Sequence, residues 1–466
     1  MTETKYEYVD ILNITEEQLN KKVYLAGRLH DIRKQGSVCF IVLRYQYKTI
    51  QCVAFKKNFS NPDSFKDLCS LSPESFIHLS GTISKLPPTI KQIESTYYKH
   101  FELKIDSYEL ISKANILPFN VNDANDAGLS LTHRSDVLIN TRLDNRWFDL
   151  RIPVNYCIFK IQSGIVQLFR NFLISKNFME IHTPKIIGTA SESGAAVFPI
   201  QYFDQKAYLA QSPQLYKQMA INADFHRVFE IGPVFRAEKA FSHRHLCEFV
   251  GMDIEMAITP GKNYHEIINL IWELLVYIFE GINKDFKEEL QFINEKMPFV
   301  PLKYTKDPII VPFTECVKML TDAGFKQDHF EDLNTENEKE VGKMIKAKYD
   351  TDIFFIDRYP SAVRPFYTML DPNDKKYSNS YDIIMRCEEI CSGAQRIHDH
   401  KMLNERIDEL GIPKESLSDY IKSFSCGGQK HGGCGFGLER IVMLFLDLKN
   451  VRKSSFCPRD PNRLHP

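Results

Sequence analysis

Five short segments in which polar and apolar residues alternate crowd the first quarter of the chain: "KVYLAGRL", "VCFIVLR", "TIQCVAF", "FIHLSGTI" and "FELKIDSYEL". A period of two puts alternate side chains on opposite faces of a strand, and the stretches between the segments are turn-prone or charged. A set of short strands with little helix leaves unpaired edges unless the sheet closes, so residues 1–111 are predicted to form a small β-barrel.

The texture changes beyond residue 150. Residues 112–150 are mixed and polar, and "VNDANDAG" within them reads as a hinge or linker. "YCIFKIQSGIVQLFRNFLISKNF" then carries Ile158, Ile161, Ile165, Leu168 and Phe172 at steps of three and four, one apolar face of a helix. A strand-like "FMEIHTPKII" follows, and helices and strands alternate to the C-terminus, which predicts an α+β domain over 151–466.

Composition narrows the function classes. Of 466 residues, 59 are Lys or Arg and 60 Asp or Glu, a net charge of -1, so any nucleic-acid contact must use a local patch. The 11 cysteines include no C-x-x-C pair, and several, such as Cys39, Cys52 and Cys316, sit in apolar runs that suggest buried, reduced thiols. "MTETKYEYVD" has no leader character, and the most apolar window, "LIWELLVYIFEGI", is short for a bilayer and interrupted by Glu273. The expectation is a cytoplasmic protein with no membrane partner.

Three constellations carry chemistry. In "GPVFRAEKAFSHRHLCEF", an apolar run ends at Arg236 and is followed by Glu238, Lys239, His243, Arg244, His245 and Glu248 before the apolar pattern resumes. If the flanking segments are antiparallel strands, Arg236 and Glu238 share a face of one, and Phe249, Asp253 and Glu255 share a face of the other. A guanidinium fork, a flat ring and loop cations suit a nucleoside triphosphate, although a solvated charged hairpin has the same composition. In "YSNSYDIIMRCEEICSGAQRIHD", a hairpin with an even-numbered loop near Arg386–Glu388 would turn Asp382 and Glu389 to one face, two hard oxygen donors suited to Mg²⁺; the alternative is two solvated acids. In "HGGCGFGLERIVMLFLDL", glycines run into a helix with Ile441, Val442, Leu444, Phe445 and Leu448 inside and Arg440 in its first turn. A bound phosphate would offset the dipole cost of that cation, and a glycine loop of purely structural use is the alternative.

Together these stretches resemble the three signature motifs of the class II aminoacyl-tRNA synthetases, subclass IIb, and most of all their eukaryotic and archaeal aspartyl type. The 157–175 helix with "EIHTPKI" is similar to motif 1, which would place Pro184 at a homodimer interface; "GPVFRAEKAFSHRHLCEF" resembles motif 2 and "GFGLER" motif 3. "QSPQLYKQ", "SGAQRIHDH" and the ending "RDPNRLHP" are in the same style. The resemblance implies an OB-fold anticodon-binding barrel followed by a catalytic domain built on an antiparallel sheet flanked by helices. It implies aspartate–tRNA ligation: aspartate is activated with ATP to aspartyl-adenylate and pyrophosphate, then transferred to the 3′ end of tRNA(Asp).

The residue roles follow from the same resemblance. Arg236 and Arg440 would be catalytic, on the α- and γ-phosphates of ATP. Phe249 would stack on adenine, Glu238 would contact adenine or the tRNA end, and Arg244, His245 and Glu389 would complete the ATP contacts. Asp382 and Glu389 would hold Mg²⁺. Ser191, Glu192, Gln214, Lys217, Ser392 and Arg396 would bind aspartate. Phe40 would stack on an anticodon base, with Arg33, Gln35 and Gln51 as readers, although the pattern around Phe40 by itself suits a core residue. Ser193 and Cys387 stand where the family often has glycine. Two other readings exist: a zinc hydrolase using His243, His245 and Cys247 with Cys426, His431 and Cys434, and a non-enzymatic tRNA-binding relative. Within the family the rivals are the asparaginyl and lysyl enzymes.

Overall fold

The computed structural model describes residues 6–125, 137–189 and 197–465, and the chain divides into two compact units, Met1–Cys157 and Ile158–Pro466. In the first, the predicted segments become β1 (Lys22–Gln35), β2 (Val38–Tyr45), β3 (Lys48–Phe55), β4 (Phe76–Lys85) and β5 (Phe101–Ser112). They pair in the order β1-β2-β3-β5-β4, and β4 returns to β1, so the OB-fold barrel closes. Val23, Leu25, Leu29, Cys39, Ile41 and Leu79 fill its interior.

A bulge at His30 decides which side chains the barrel shows to solvent. Leu29 pairs with Leu43, but Asp31 pairs with Val42, so one residue of β1 is unmatched and the inward parity switches from odd to even numbers. Ile32 therefore packs on the core, while Arg33 and Gln35 point outwards. Arg33 lies opposite Phe40, Phe40 opposite Val53, and Val42 opposite Gln51. All four proposed anticodon-reading residues thus share the outer face of three adjacent strands. Phe40 is half-buried there with the Arg33 guanidinium 5.5 Å from its ring centroid, not in the core between Cys39 and Ile41.

"VNDANDAG" is not all linker: Val121–Asn125 is a short helix, and the rest of that stretch lies outside the described residues. Cys316, in one of the apolar runs, is buried on a helix, Phe313–Asp322.

In the second unit, helices α1 (Pro153–Ser175, begun in the first unit), α2 (Gln214–Asn222), α3 (His265–Asp285), α4 (Thr335–Tyr349) and α5 (Leu438–Phe445) flank an eight-stranded sheet. Its six inner strands are antiparallel, in the order β8 (Ile353–Asp357), β9 (Ser380–Met385), β10 (Glu388–Gln395), β11 (His431–Gly437), β7 (Glu248–Ala257) and β6 (Arg227–Phe235). Ile310–Pro312 and Met179–Glu180 add short parallel strands at the two edges.

The 158/161/165/168/172 stripe is buried within this chain, against α3 and the residues after it: a side chain at Gly164 would strike Phe286 and Ile282, and one at Gly281 would strike Leu168. The stripe is therefore core packing, and an apolar face so covered cannot also be a subunit surface. "FMEIHTPKII" is not one strand ending at Pro184. Two-residue strands, Met179–Glu180 and Ile186–Ile187, flank an exposed Pro184 that has no N–H to give a ladder. Thr183 and Lys185 are instead held by Glu230, through the Thr183 N–H at 3.0 Å and the Lys185 Nζ at 2.7 Å.

The glycine run is a strand, not a loop. Gly433 and Gly432 are required because a Cβ would lie 2.0 Å from the Ile254 carbonyl oxygen and 2.5 Å from that of Ala394. The hairpin turn at Cys387 does form. Arg386 and Cys387 have φ of 48° and 67°, the two-residue turn with both central residues left-handed, normally glycine-rich. Gly342 of α4 makes room for the thiol, since a Cβ there would be 2.6 Å from Cys387 Sγ.

Candidate active site

The charged opening of motif 2 sits where β6 and β7 end together. β6 stops at Phe235, so Arg236 and Glu238 are not on a strand face as expected; they begin the connecting loop. The ladder runs on by one bond, Arg236 N–H to the Cys247 carbonyl at 2.9 Å, which fixes the base of Arg236. The loop is tied down by the C-terminal segment. Val451 N–H donates to the His243 carbonyl (2.8 Å), Cys247 N–H to the Arg459 carbonyl (2.7 Å), and Arg452, paired with Asp460 at 2.6 Å, donates to the Ser242 carbonyl.

Above the sheet is a cavity of about 330 Å³. One end is cationic and aromatic. Arg236 lies 5.5 Å from the Phe249 ring centroid and 4.0 Å from Glu238. Arg440, in the first turn of α5, donates to the carbonyls of Glu389 (2.8 Å) and Arg244 (3.2 Å). Gly437 packs between Arg440 and Phe249, each 3.8 Å from the position of a Cβ. Arg244 lines the wall but pairs with Glu338 at 2.9 Å. His245, read from the sequence as a loop cation, is held below the usual imidazole range by burial, which the nearby Glu238 does not overcome, and it bonds Ser242 Oγ at 2.6 Å.

The other end holds Gln214 from α2 and Ser392 and Arg396 from and beside β10. Arg396 donates Nε and Nη2 to the two oxygens of Glu255 (3.0 and 3.2 Å) and Nη2 also to Gln214 Oε1 (3.2 Å). Lys217 lies below, 2% exposed, with its Nζ 2.9 Å from Asp253, 3.5 Å from Glu255 and within reach of the Ile254 and Cys434 carbonyls. Burial alone would lower the lysine, but Asp253 and Glu255 hold it above its usual value. Burial alone would raise Glu255, but Arg396 and Lys217 hold it below the usual carboxylate range. The two cations and two carboxylates form one charge-balanced cluster, and Asp253 brings it to the cavity wall.

The β9–β10 hairpin turns Asp382 and Glu389 to one face by the expected even loop, since Glu389 lies opposite Ile384, two residues from Asp382. The two-residue turn pairs Met385 with Glu388, as an even loop should, but a bulge at Ile390 shifts the register so that Asp382 faces Ser392. Regular pairing would not have placed Asp382 beside that serine. Burial and then the charge of Asp382 raise Glu389 above its ordinary value, the mark of two acids in one electrostatic neighbourhood. Both oxygens of Asp382 are engaged by Arg364, at 3.0 and 2.7 Å.

Among the described residues no group of three His, Cys, Asp or Glu side chains could hold a metal. The zinc reading fails on this: His243 binds Glu388 (2.8 Å) and His431 lies between the Gln429 carbonyl (2.7 Å) and Gln218, buried. A pair of carboxylates such as Asp382 and Glu389 fits Mg²⁺, which takes few protein oxygens and leaves other positions to substrate phosphates and water.

The comparisons with known proteins agree with this architecture. Residues 139–461 match the family model described as tRNA synthetases class II (D, K and N), and residues 23–111 match that of the OB-fold nucleic acid binding domain. The chain belongs to the class II tRNA synthetases. It is 46% identical to the cytoplasmic aspartate–tRNA ligase of Rattus norvegicus, covering 98% of this chain and 91% of that protein, and 44% identical to aspartate–tRNA ligase 1, cytoplasmic, of Arabidopsis thaliana, covering 99% and 87%. The solved aspartyl-tRNA synthetase of Entamoeba histolytica superposes with a TM-score of 0.90 at 40% identity, covering 100% of this chain and 94% of that one.

Within this synthetase, Arg236, Glu238, Arg244, His245, Phe249, Glu389 and Arg440 line one cavity with Gln214, Ser392 and Arg396. Lys217 and Asp382 lie behind the lining, each joined to it through one partner, Asp253 and Arg364. Ser191 and Glu192 lie outside the described residues. Sequence reasoning assigned no role to Arg364, Asp253, Glu255 or Glu439. The last is 6% exposed, receives the Val250 N–H on both oxygens, and is raised to about 7 by burial. A signal for Asp253 and Glu255 existed, since two acids in an apolar strand need buried partners; Arg364 in "SAVRPFY" had none.

Proposed function

We propose that this synthetase is a cytoplasmic aspartate–tRNA ligase that forms aspartyl-adenylate from L-aspartate and ATP and passes the aspartyl group to tRNA(Asp). The observation that carries the reading is a single cavity with Arg236, Phe249 and Arg440 at one end and Gln214, Ser392 and Arg396 at the other. The first set suits a base and phosphates, the second a small anion. Residues 1–111 would hold the anticodon, through Arg33, Gln35, Phe40 and Gln51; residues 112–150 would link; residues 151–466 would carry the chemistry. The mature enzyme would be a homodimer with Pro184 at its interface.

The nucleophile, the substrate carboxylate, is already an anion, so the protein needs no strong base. Arg236 would hold the α-phosphate and stabilise the charge that develops there as the carboxylate oxygen attacks and pyrophosphate leaves. Phe249 would orient the adenine, and Arg440 would hold the γ-phosphate. Asp382 and Glu389 would hold Mg²⁺, which when bound supplies positive charge to the phosphates. Arg396, held by Glu255 and Gln214, would face the aspartate side chain, with Lys217 behind it. The terminal ribose hydroxyl of the tRNA then displaces AMP.

Pyrophosphate exchange measured with each of the twenty amino acids tests this. Exchange dependent on aspartate alone is expected. Exchange with asparagine or lysine and not aspartate would overturn the amino-acid assignment, and exchange with none would overturn the activity.

A further inference from the structure

Arg364 is a firmly held cation in the cavity lining that also touches Ser392 of the proposed aspartate subsite. Its side chain is 10% exposed and its guanidinium carbon stands 3.9 Å from the Tyr359 ring centroid. Nη1 and Nη2 reach the two oxygens of Asp382, and Nη1 also reaches Ser392 Oγ at 2.9 Å. A bidentate guanidinium–carboxylate pair in a buried setting is geometrically specific and hard to exchange for water. The stacking ring sits in the core with 2% exposure, so Arg364 cannot swing away without leaving that contact.

We propose that Arg364 competes with the divalent cation for Asp382, and so makes binding of the cation depend on the nucleotide. The inference rests on the assignment of Asp382 and Glu389 to that cation. A second positive charge brought to Asp382 meets the fixed guanidinium through low-dielectric surroundings, where repulsion is strong. The phosphates of ATP supply negative charge and further oxygen ligands in the same place, which offsets the repulsion. The cation then binds well only as its nucleotide complex, and by linkage the two ligands reinforce each other. Arg364 also bonds Ser392, so the same side chain touches the aspartate subsite.

The test uses Mn²⁺ in place of Mg²⁺, with bound and free ion separated by electron paramagnetic resonance, on the full-length protein with and without ATP and with no aspartate present. In Arg364→Gln and Arg364→Met, Mn²⁺ affinity without ATP should rise at least about tenfold over wild type, while affinity with ATP changes less, so the enhancement by ATP shrinks. Arg364→Lys keeps the charge and should stay within about threefold of wild type. Thermal unfolding of each variant confirms that it is folded, and the apolar Met variant covers the case in which the Gln variant is not. Unchanged affinity in the neutral variants would overturn the proposal, and so would weaker affinity, which would make Arg364 a support that poses Asp382 for the ion. Asp382→Asn separates the two levels of the argument. If it abolishes Mn²⁺ binding in the presence of ATP, the metal assignment stands whatever the Arg364 variants do; if it changes nothing, that assignment itself is wrong.

Discussion

The Nζ of Lys217 lies 2.9 Å from Asp253 Oδ1 in a site where both side chains are more than nine-tenths buried. The lysine expected to meet the substrate is thus already neutralised by the protein. Any part it has in choosing aspartate over asparagine acts through the cluster Lys217, Asp253, Glu255 and Arg396, whose balance an added carboxylate or amide would shift.

Lys217→Leu should therefore do two things. Removing one partner from a buried charge cluster costs about 3–5 kcal/mol, so urea unfolding should show a loss of that order. Aspartate-dependent pyrophosphate exchange should fall, with raised KM and lowered kcat. Lys217→Leu with Asp253→Leu should recover part of the stability, because no charge is left alone, but none of the exchange. Wild-type exchange kinetics in Lys217→Leu would leave substrate choice to Arg396.

Arg236→Ala should reduce exchange at least about a hundredfold, roughly 3 kcal/mol of transition-state stabilisation. Its side chain is 43% exposed and its nearest carboxylate is 4.0 Å away, so the unfolding midpoint should barely move. A large drop in stability would show that the residue is structural.

Phe40→Ala should weaken tRNA aminoacylation by roughly 1–3 kcal/mol, the worth of one lost base stack, and leave tRNA-free exchange unchanged. The ring sits on the outer face of the barrel, so the barrel should stay folded. Circular dichroism of the variant checks this, and unfolding would return Phe40 to the core.

Glu439 predicts a pH dependence of stability. Its folded value, about 7, is above that of an unfolded glutamate, so the folded chain binds the proton more tightly. Its contribution is fully present below about pH 4.5 and is lost as pH rises through 7. Glu439→Gln should remove up to about 3 kcal/mol of that slope and be more stable than wild type, relative to pH 5, at pH 8. Thermal melts at pH 5, 6.5 and 8 measure the difference, and parallel curves for the two proteins would contradict it.

Light scattering at micromolar concentration should give twice 54.2 kDa. The surface for this is not the α1 stripe, which α3 covers. Met179 and Ile186, each at least half exposed in the short strands that flank Pro184, remain available. Charged substitutions at Met179 and Ile186 should lower the mass to that of one chain.

Much of this protein is set by local pattern. The five alternating segments are the five barrel strands and the three- and four-step stripe is a helix, because side-chain period is a property of neighbouring residues; that Arg236, Phe249, Glu389 and Arg440 share one cavity is implied by the family resemblance and not by any local spacing. What tertiary structure alone decided lies in register and in pairing across long separations. A one-residue bulge at His30 turns Arg33 and Gln35 outwards, and another at Ile390 sets Asp382 opposite Ser392; an unmatched residue leaves no mark on the alternation until the partner strand is known. The glycines of β11 read as a loop because the carbonyls they make room for belong to β7 and β10. Arg364 meets Asp382, and Lys217 meets Asp253, across 18 and 36 residues of chain. A buried charge must find its opposite, but which opposite it finds is settled only when the sheet brings the two together.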